Sequence, residues 1–297
     1  MTQPVRIGID PPQRIAISNE IGHRPAAMPS HSVLRPTIGT FATGLSTQMR
    51  VIGALLLREL HTRYGRENIG YLWLIGEPLM LASVMALLHT GGHTAYGSDI
   101  KPLPFIVIGY TTYIMFRGIV NRSDSALTAN APLLYHRMVT IFDIVVARAL
   151  LEAAGTFLAY TVLMVLLWSL GLVSPPARPL YLYAAEALMF WYALGNAMII
   201  ASITFHNRTV ERLVHPYSYF MIPLSASFYQ VSMVPQPYRA WLMLVPLPHI
   251  MEMARYGQFN SATLDYCSPW YVVGACMVLT WVGLVTMRIY RNKVHLN

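Results

Sequence analysis

Apolar positions dominate most of this chain without the period-two alternation of a barrel strand, and its long uncharged runs match the length of a bilayer crossing. Six such runs stand at about 69–89, 103–121, 151–172, 180–203, 214–234 and 269–290. Roughly 20 residues in a helix cross about 30 Å of hydrocarbon. Each run is expected to be helical, because lipid offers the backbone no hydrogen-bond partner. The third helix starts early, over about 138–172, since the charged Asp143, Arg148 and Glu152 precede its uncharged part near Ala153. It therefore projects from the membrane by several turns, with Arg148 and Glu152 one turn apart and able to pair.

A different period appears ahead of the first span. From about 47 to 66, Met49, Ile52, Leu56, Leu60 and Tyr64 recur at three- and four-residue steps, with Arg50, Arg58 and His61 opposite. That pattern predicts an amphipathic helix lying in the interface plane. It serves either as an anchor to the membrane surface or as a lever that feels a cytoplasmic partner. Gly65 and Gly70 flank the link into the first span and permit a sharp turn. Between spans two and three, Ser125–Asn130 is expected to form a short helix that Pro132 ends. Leu133 and Leu134 follow on a polar surface, where they either dock a partner or fold back onto the membrane. The apolar stretch Trp241–Met251 is too short to cross and is broken by Pro246 and Pro248. It reads as a re-entrant pair of half-helices or as a helix lying among headgroups. The fold class is thus all-α and polytopic: six transmembrane helices, an interface helix, a cytoplasmic coupling region at about 122–137 and short helices before the last span. Residues 46–297 form this transmembrane domain.

Composition agrees, with 55% of the residues hydrophobic and only 11% charged, a balance outside the range of soluble domains. Charge placement sets orientation. Sixteen of the 21 lysines and arginines fall on one side of the predicted spans, so both termini are expected in the cytoplasm. The net charge of +8 then reflects insertion topology and anionic headgroups, not nucleic-acid binding. Residues 1–45 are proline-rich with few aromatics, which predicts a mostly disordered cytosolic arm, and they hold no apolar h-region. Cys267 and Cys276, roughly 13 Å apart along a helix axis, cannot bridge there.

Candidate chemistry is sparse. Glu77 and Glu186 lie inside apolar runs, where ionisable groups mark a pathway, a pair or a packed seam; both are expected to be structural. Gly91 and Gly92 break the helix that would aim His89 and His93 at one metal. Neither of the two lysines, Lys101 and Lys293, follows a glycine, so there is no phosphate-binding Gly-Lys-Ser/Thr loop, and no catalytic triad or paired-carboxylate site stands out. Aromatics concentrate at Tyr71 and Trp73, at Tyr110, Tyr113 and Phe116, and in the fifth run, where Tyr217, Phe220 and Tyr229 are candidates for one common face. Interfacial belts and core packing account for most aromatics of this kind, while flat rings also suit the stacking of sugars.

Two segments carry a family resemblance. Leu57–Pro78 reads R-E-x-x-x-R-[YF]-G-R-x-x-[IL]-G-Y-L-W-x-x-x-E-P, and Ala129–Glu152 contains ANAPLLYHRM followed by D-x-x-x-A-R-A-L-L-E. The chain from about residue 46 resembles the membrane subunit of an ABC-2 exporter, and more narrowly the capsular-polysaccharide export permeases of the bacterial inner membrane. The resemblance implies a homodimer bound to two copies of a separate ATPase that holds the ATP and magnesium, this chain carrying no cofactor. The ATPase would be met by Arg58, Glu59, Arg63 and Arg66 of the surface helix and by Asn130, Pro132, Leu133 and Leu134 of the loop. It also implies a lipid-linked anionic glycan passing between protomers to a periplasmic co-polymerase-like protein and an outer-membrane channel. Candidate canal or entry residues are Tyr71, Trp73, Glu77, Tyr113, Phe116, Arg117, Arg148, Tyr217, Phe220 and Tyr229, with Arg117 or Arg148 meeting the acidic glycolipid head. A permease for O-antigen or teichoic acid would share nearly all these features. A membrane-embedded transferase acting on lipid-linked sugars would need a converging acid, base or metal cluster.

Overall fold

The computed structural model describes residues 38–64, 76, 79–80, 83–84, 88, 99–134, 139–205 and 207–294. The expected first span, with Tyr71, Trp73 and Glu77, lies outside them apart from isolated positions, as do His89, His93, Arg66 and the side chains of Arg63 and Leu134. The chain divides into Met1–Ala42 and Thr43–Asn297, and the second unit carries the architecture below. Among the described residues every regular element is helical: α1 (Ile38–Tyr64), α2 (Pro102–Ser123), α3 (Ala131–Leu134), α4 (Ile141–Ser169), α5 (Pro179–Thr204), α6 (Arg208–Leu224), a 3-10 turn (Val231–Met233), α7 (Tyr238–Leu242), α8 (Pro246–Gln258) and α9 (Pro269–Val294).

Four of these are long and apolar enough to cross a membrane: α2, α4, α5 and α9 through Tyr290. They match the second, third, fourth and sixth sequence-predicted runs. Helix α5 sits at the centre, packed on α9, α8 and α2, while α2 packs on α4. The buried acid Glu186 of α5 is met by the Thr112 hydroxyl of α2, which donates to Oε1 at 2.7 Å. A hydroxyl, then, answers the intramembrane carboxyl across the α2–α5 seam.

The fifth run behaves differently from the expectation of a helix over 214–234. Asn207 caps α6 by accepting from the Thr209 amide at 3.1 Å, and the helix ends after 17 residues at Leu224. At 1.5 Å per residue that is about 26 Å, just short of the hydrocarbon thickness. Pro223 lacks an amide proton, and Ala226 follows with φ 57°, a left-handed conformation that helix cannot continue through. The turn at 225–227 presses so closely on α2 that any Cβ on Gly109 would collide with the Ser227 carbonyl.

Helix α8 is buried along nearly its whole length, from Leu247 to Gln258. Helix α8 thus packs against α5, α9 and α2 of its own chain. A Cβ on Gly257 would stand 2.5 Å from the Leu182 backbone nitrogen, so glycine is what allows α8 to touch the start of α5. Gly257→Ala is expected to destabilise the protein by about 1–3 kcal/mol through overpacking against unyielding backbone, read as a lowered midpoint in detergent unfolding. An unchanged midpoint would show that α8 is free to shift away from α5.

Candidate coupling site

One end of the bundle gathers charge that the sequence scatters over a hundred residues. The start of α4 is fixed by a reciprocal cap: Thr140 Oγ1 accepts from the Asp143 amide at 3.2 Å, and Asp143 Oδ2 accepts from the Thr140 amide at 2.9 Å. Such caps satisfy two of the orphan donors of a helix start. The other Asp143 oxygen accepts from Gln48 Nε2 of α1 at 3.1 Å, so one carboxylate both begins α4 and holds the surface helix.

Helix α1 starts at Ile38, ahead of the expected 47, and turns a different side to the protein than its apolar stripe. Gln48, Ile52, Leu55 and Glu59 form the inward row, with Ile52, Leu55 and Glu59 buried, while Met49 is 60% exposed. At 100° per residue the apolar row of Met49, Leu56 and Leu60 lies about a quarter-turn away from the packing row, and Arg50, Arg58 and His61 occupy the remaining side. Three faces thus replace the expected two: one on α4, one apolar, one polar. Hydrophobic periodicity alone finds the apolar row and misses the packing row, whose ends are polar.

The polar ends of that packing row are where the connections are made. Glu59 Oε1 pairs with Arg148 Nε of α4 at 2.9 Å, with side chains only 9% and 13% exposed. Arg58 Nη2 donates to Asn130 Oδ1, and Asn130 Nδ2 donates to the Ala126 carbonyl at 2.8 Å. Arg148 Nη1 reaches the Arg122 carbonyl at 3.1 Å, and Arg122 Nε pairs with Glu152 at 2.8 Å. Beside them Asp124 Oδ2 lies 3.7 Å from His215 Nε2 of α6. The structure thus pairs Arg148 and Glu152 with partners across helices, Glu59 and Arg122, where the sequence suggested a pair along α4.

The short loop helix also differs from its expectation. Residues 124–130 form turns, and the α-helical segment is α3, with Pro132 in its first turn. Proline is tolerated there because the first amides of a helix have no internal acceptor. Pro132 is exposed, whereas Leu133 is half-buried against the core, so Leu133 is not a free surface leucine. Together Arg58, Glu59 and Asn130 form one cluster joining the surface helix, the loop and α4.

The aromatic candidates separate. Tyr113 and Phe116 are fully buried; Phe116 stacks on Tyr192 with ring centroids 5.7 Å apart. Tyr217 turns inward, its hydroxyl 3.0 Å from Asn196 Oδ1, while Phe220 is 65% exposed. Tyr229 lies beyond the end of α6 and donates to the Pro223 carbonyl at 2.5 Å. The structure does not bring Tyr217, Phe220 and Tyr229 to one face, because the helix stops between the second and third. Phe220 instead shares the open side of α6 with Tyr219, whose ring lies 4.2 Å from the Arg117 guanidinium carbon and whose hydroxyl accepts from Arg117 Nη2 at 2.5 Å.

One residue escaped the sequence reading entirely. Arg255 is 1% exposed. Its guanidinium donates to the carbonyls of Ala226 (2.6 Å), Ser227 (3.0 Å) and Tyr229 (2.8 Å), pairs with Glu252 at 3.1 Å and lies 4.1 Å over the Phe105 ring. Glu252 Oε1 also accepts from the Val231 amide at 3.0 Å. The arginine thus caps the broken end of α6 from α8. Its one signal in the sequence is Glu252, three residues before it. No group of three or more metal-ligating side chains occurs among the described residues.

Comparison with known proteins accords with this architecture. The model of the ABC-2 type transporter family matches residues 50–259. The chain is 38% identical over 255 residues to the capsule polysaccharide export inner-membrane protein CtrC of Neisseria meningitidis, covering 86% of this chain and 96% of that protein. It is 32% identical, at the same coverage, to the capsule polysaccharide export inner-membrane protein BexB of Haemophilus influenzae. With the polysialic acid transport protein KpsM of Escherichia coli it shares 28% identity over 256 residues, 84% of this chain and 96% of that one. With four membrane-length apolar helices and a family match across most of its length, this chain is a multi-pass membrane protein belonging to the ABC-2 type transporter family.

Proposed function

We propose that this protein is the inner-membrane permease subunit of an ATP-driven exporter that moves a lipid-linked capsular polysaccharide. The observation that carries the reading is 38% identity across 96% of a capsule export inner-membrane protein. Two copies of the chain form the path, and two copies of a separate ATPase drive it from the cytoplasm, where both termini lie. A periplasmic co-polymerase-like protein and an outer-membrane channel receive the polymer.

The charged end supports the coupling role. A push on α1 or on the loop at Asn130 is passed to α4 through Glu59 and Arg148, then to the end of α2 through Arg122 and Glu152. Helix α2 carries Arg117 beside the open face of α6 with Tyr219 and Phe220, which we assign to the canal together with Tyr71, Trp73 and Glu77. Arg58, Arg63, Arg66, Pro132 and Leu134 form the ATPase-facing set, with the buried Glu59 and Asn130 and the half-buried Leu133 standing behind them. Deleting the gene is expected to leave lipid-linked polysaccharide inside the cell; a normal surface polysaccharide would overturn the function. Arg58→Glu, at an exposed position, is expected to lower export about tenfold while the ATPase still hydrolyses ATP, within the usual range of coupling energies. Export at the wild-type rate would leave α1 as an anchor only.

A further inference from the structure

Neither coupling nor translocation uses a cavity of about 250 Å3 between α4 and α5, at the end of the bundle away from the charged network. Tyr160, Val165 and Trp168 of α4 face Tyr183 of α5, and Pro175 of the connecting loop closes the rim. Val165, Trp168 and Tyr183 are exposed, so the groove opens sideways from two membrane-length helices. From Tyr160 to Trp168 the wall runs about 12 Å at 1.5 Å per residue, most of the depth of one leaflet of a hydrocarbon core about 30 Å thick.

The polar end is what distinguishes this groove from an ordinary lipid-facing furrow. Gln258, the last residue of α8, is 3% exposed and lines it. Its Nε2 donates to the Ser174 carbonyl at 2.8 Å, and its Oε1 is buried without a hydrogen-bond donor among the described residues. A buried acceptor left unmet costs about 1–3 kcal/mol, so a donor from outside the chain would be welcome there. Two helices end along the groove, α4 at Ser169 just past Trp168 and α8 at Gln258, and their C-termini bring partial negative charge.

The neighbouring charges are already engaged. Lys101 Nζ donates to the Gly171 carbonyl at 3.3 Å. Arg178 Nη1 donates to the Tyr256 and Phe259 carbonyls at 3.0 and 3.2 Å. Asp99 accepts from the Asn260 amide at 2.7 Å. Partial burial raises the Asp99 carboxyl, but hydrogen bonds from Ser261 and Asn260 outweigh it and hold the group below the ordinary carboxylate value. A fitting occupant has an apolar chain of leaflet length and a cationic N–H donor at its head.

We propose that this groove holds a bilayer phospholipid of the phosphatidylethanolamine type, one acyl chain lying between α4 and α5 and the headgroup ammonium donating to Gln258 Oε1. The lipid thereby seals the loop at 170–178 to the C-terminus of α8, next to the segment that Arg255 ties to α6. Phosphatidylcholine, with the same chains and phosphate but no N–H, is the discriminating competitor.

The purified full-length chain, delipidated in detergent and offered equal amounts of both lipids with matched acyl chains, is weighed intact by native mass spectrometry. We expect phosphatidylethanolamine to be retained about tenfold over phosphatidylcholine, as one hydrogen bond from a charged donor warrants. Gln258→Leu is expected to erase the preference while some lipid stays bound, and Gln258→Glu to increase it. Val165→Trp, which fills the groove, is expected to remove the bound lipid. Equal retention of the two lipids by the wild type overturns the proposal, as does a preference that survives Gln258→Leu. Should that variant not fold, an unchanged or weaker preference in Gln258→Glu overturns it. Loss of dimer mass in Val165→Trp with lipid retention unaltered assigns the groove to a second copy of the chain, and also overturns it.

Discussion

Glu59→Ala is expected to destabilise the protein by about 3 kcal/mol, because it strips a carboxylate from a largely enclosed arginine and leaves Arg148 charged in a poorly solvated place. The two side chains are 9% and 13% exposed, which sets this pair apart from surface ion pairs worth about 0–1 kcal/mol. The loss is larger than the pair's net contribution, since the guanidinium without its carboxylate keeps its desolvation cost. Two further variants separate charge from volume. Arg148→Met together with Glu59→Leu removes both charges and keeps the packing, so most stability should return. Coupling should not, because α1 then slides on α4 without a polar register. The measurements are the detergent unfolding midpoint and the ratio of polysaccharide exported to ATP hydrolysed with the partner ATPase present. A double variant that restores stability and still exports normally would sink the relay from α1 to α4.

Arg255→Ala is expected to cost about 4 kcal/mol, the range found when one member of a buried ion pair is removed. Its guanidinium serves three carbonyls around the break after α6 and the Glu252 carboxylate at once. Alanine leaves Glu252 buried and three carbonyls short of donors, and it opens space under Phe105. Arg255→Lys should recover only part of this, since an ammonium is a compact point charge and lacks the planar fork that spans several acceptors. The expected consequence is local: the 225–234 turn and α8 lose hydrogen-exchange protection before α4 and α5 do. Uniform loss of protection would place Arg255 in the global core and detach it from α8 and the end of α6.

How far the sequence carries is visible in particular residues. The four membrane-length helices are legible because each buries or exposes apolar side chains over more than 20 residues with few charges, and lipid permits them only as helix. The segment that forms α8 is legible as a contradiction, an apolar run with two prolines that is too short to cross. The end of α6 at Leu224 is not, since an apolar run through Phe228 looks continuous until Ala226 is found in a left-handed conformation. Nor is the inward row of α1: Gln48 and Glu59 look like surface residues until Asp143 and Arg148 come within reach.

By itself the sequence determined class, the four membrane-length helices and the family-bearing segments, because hydrophobic transfer and helix formation are local and accumulate along the chain. The tertiary structure alone decided which charges pair. Glu59 with Arg148, Arg122 with Glu152 and Arg255 with the carbonyls after α6 depend on distances between helices far apart in the chain. An ion pair's energy falls with separation in space, and spacing along the chain carries no record of it.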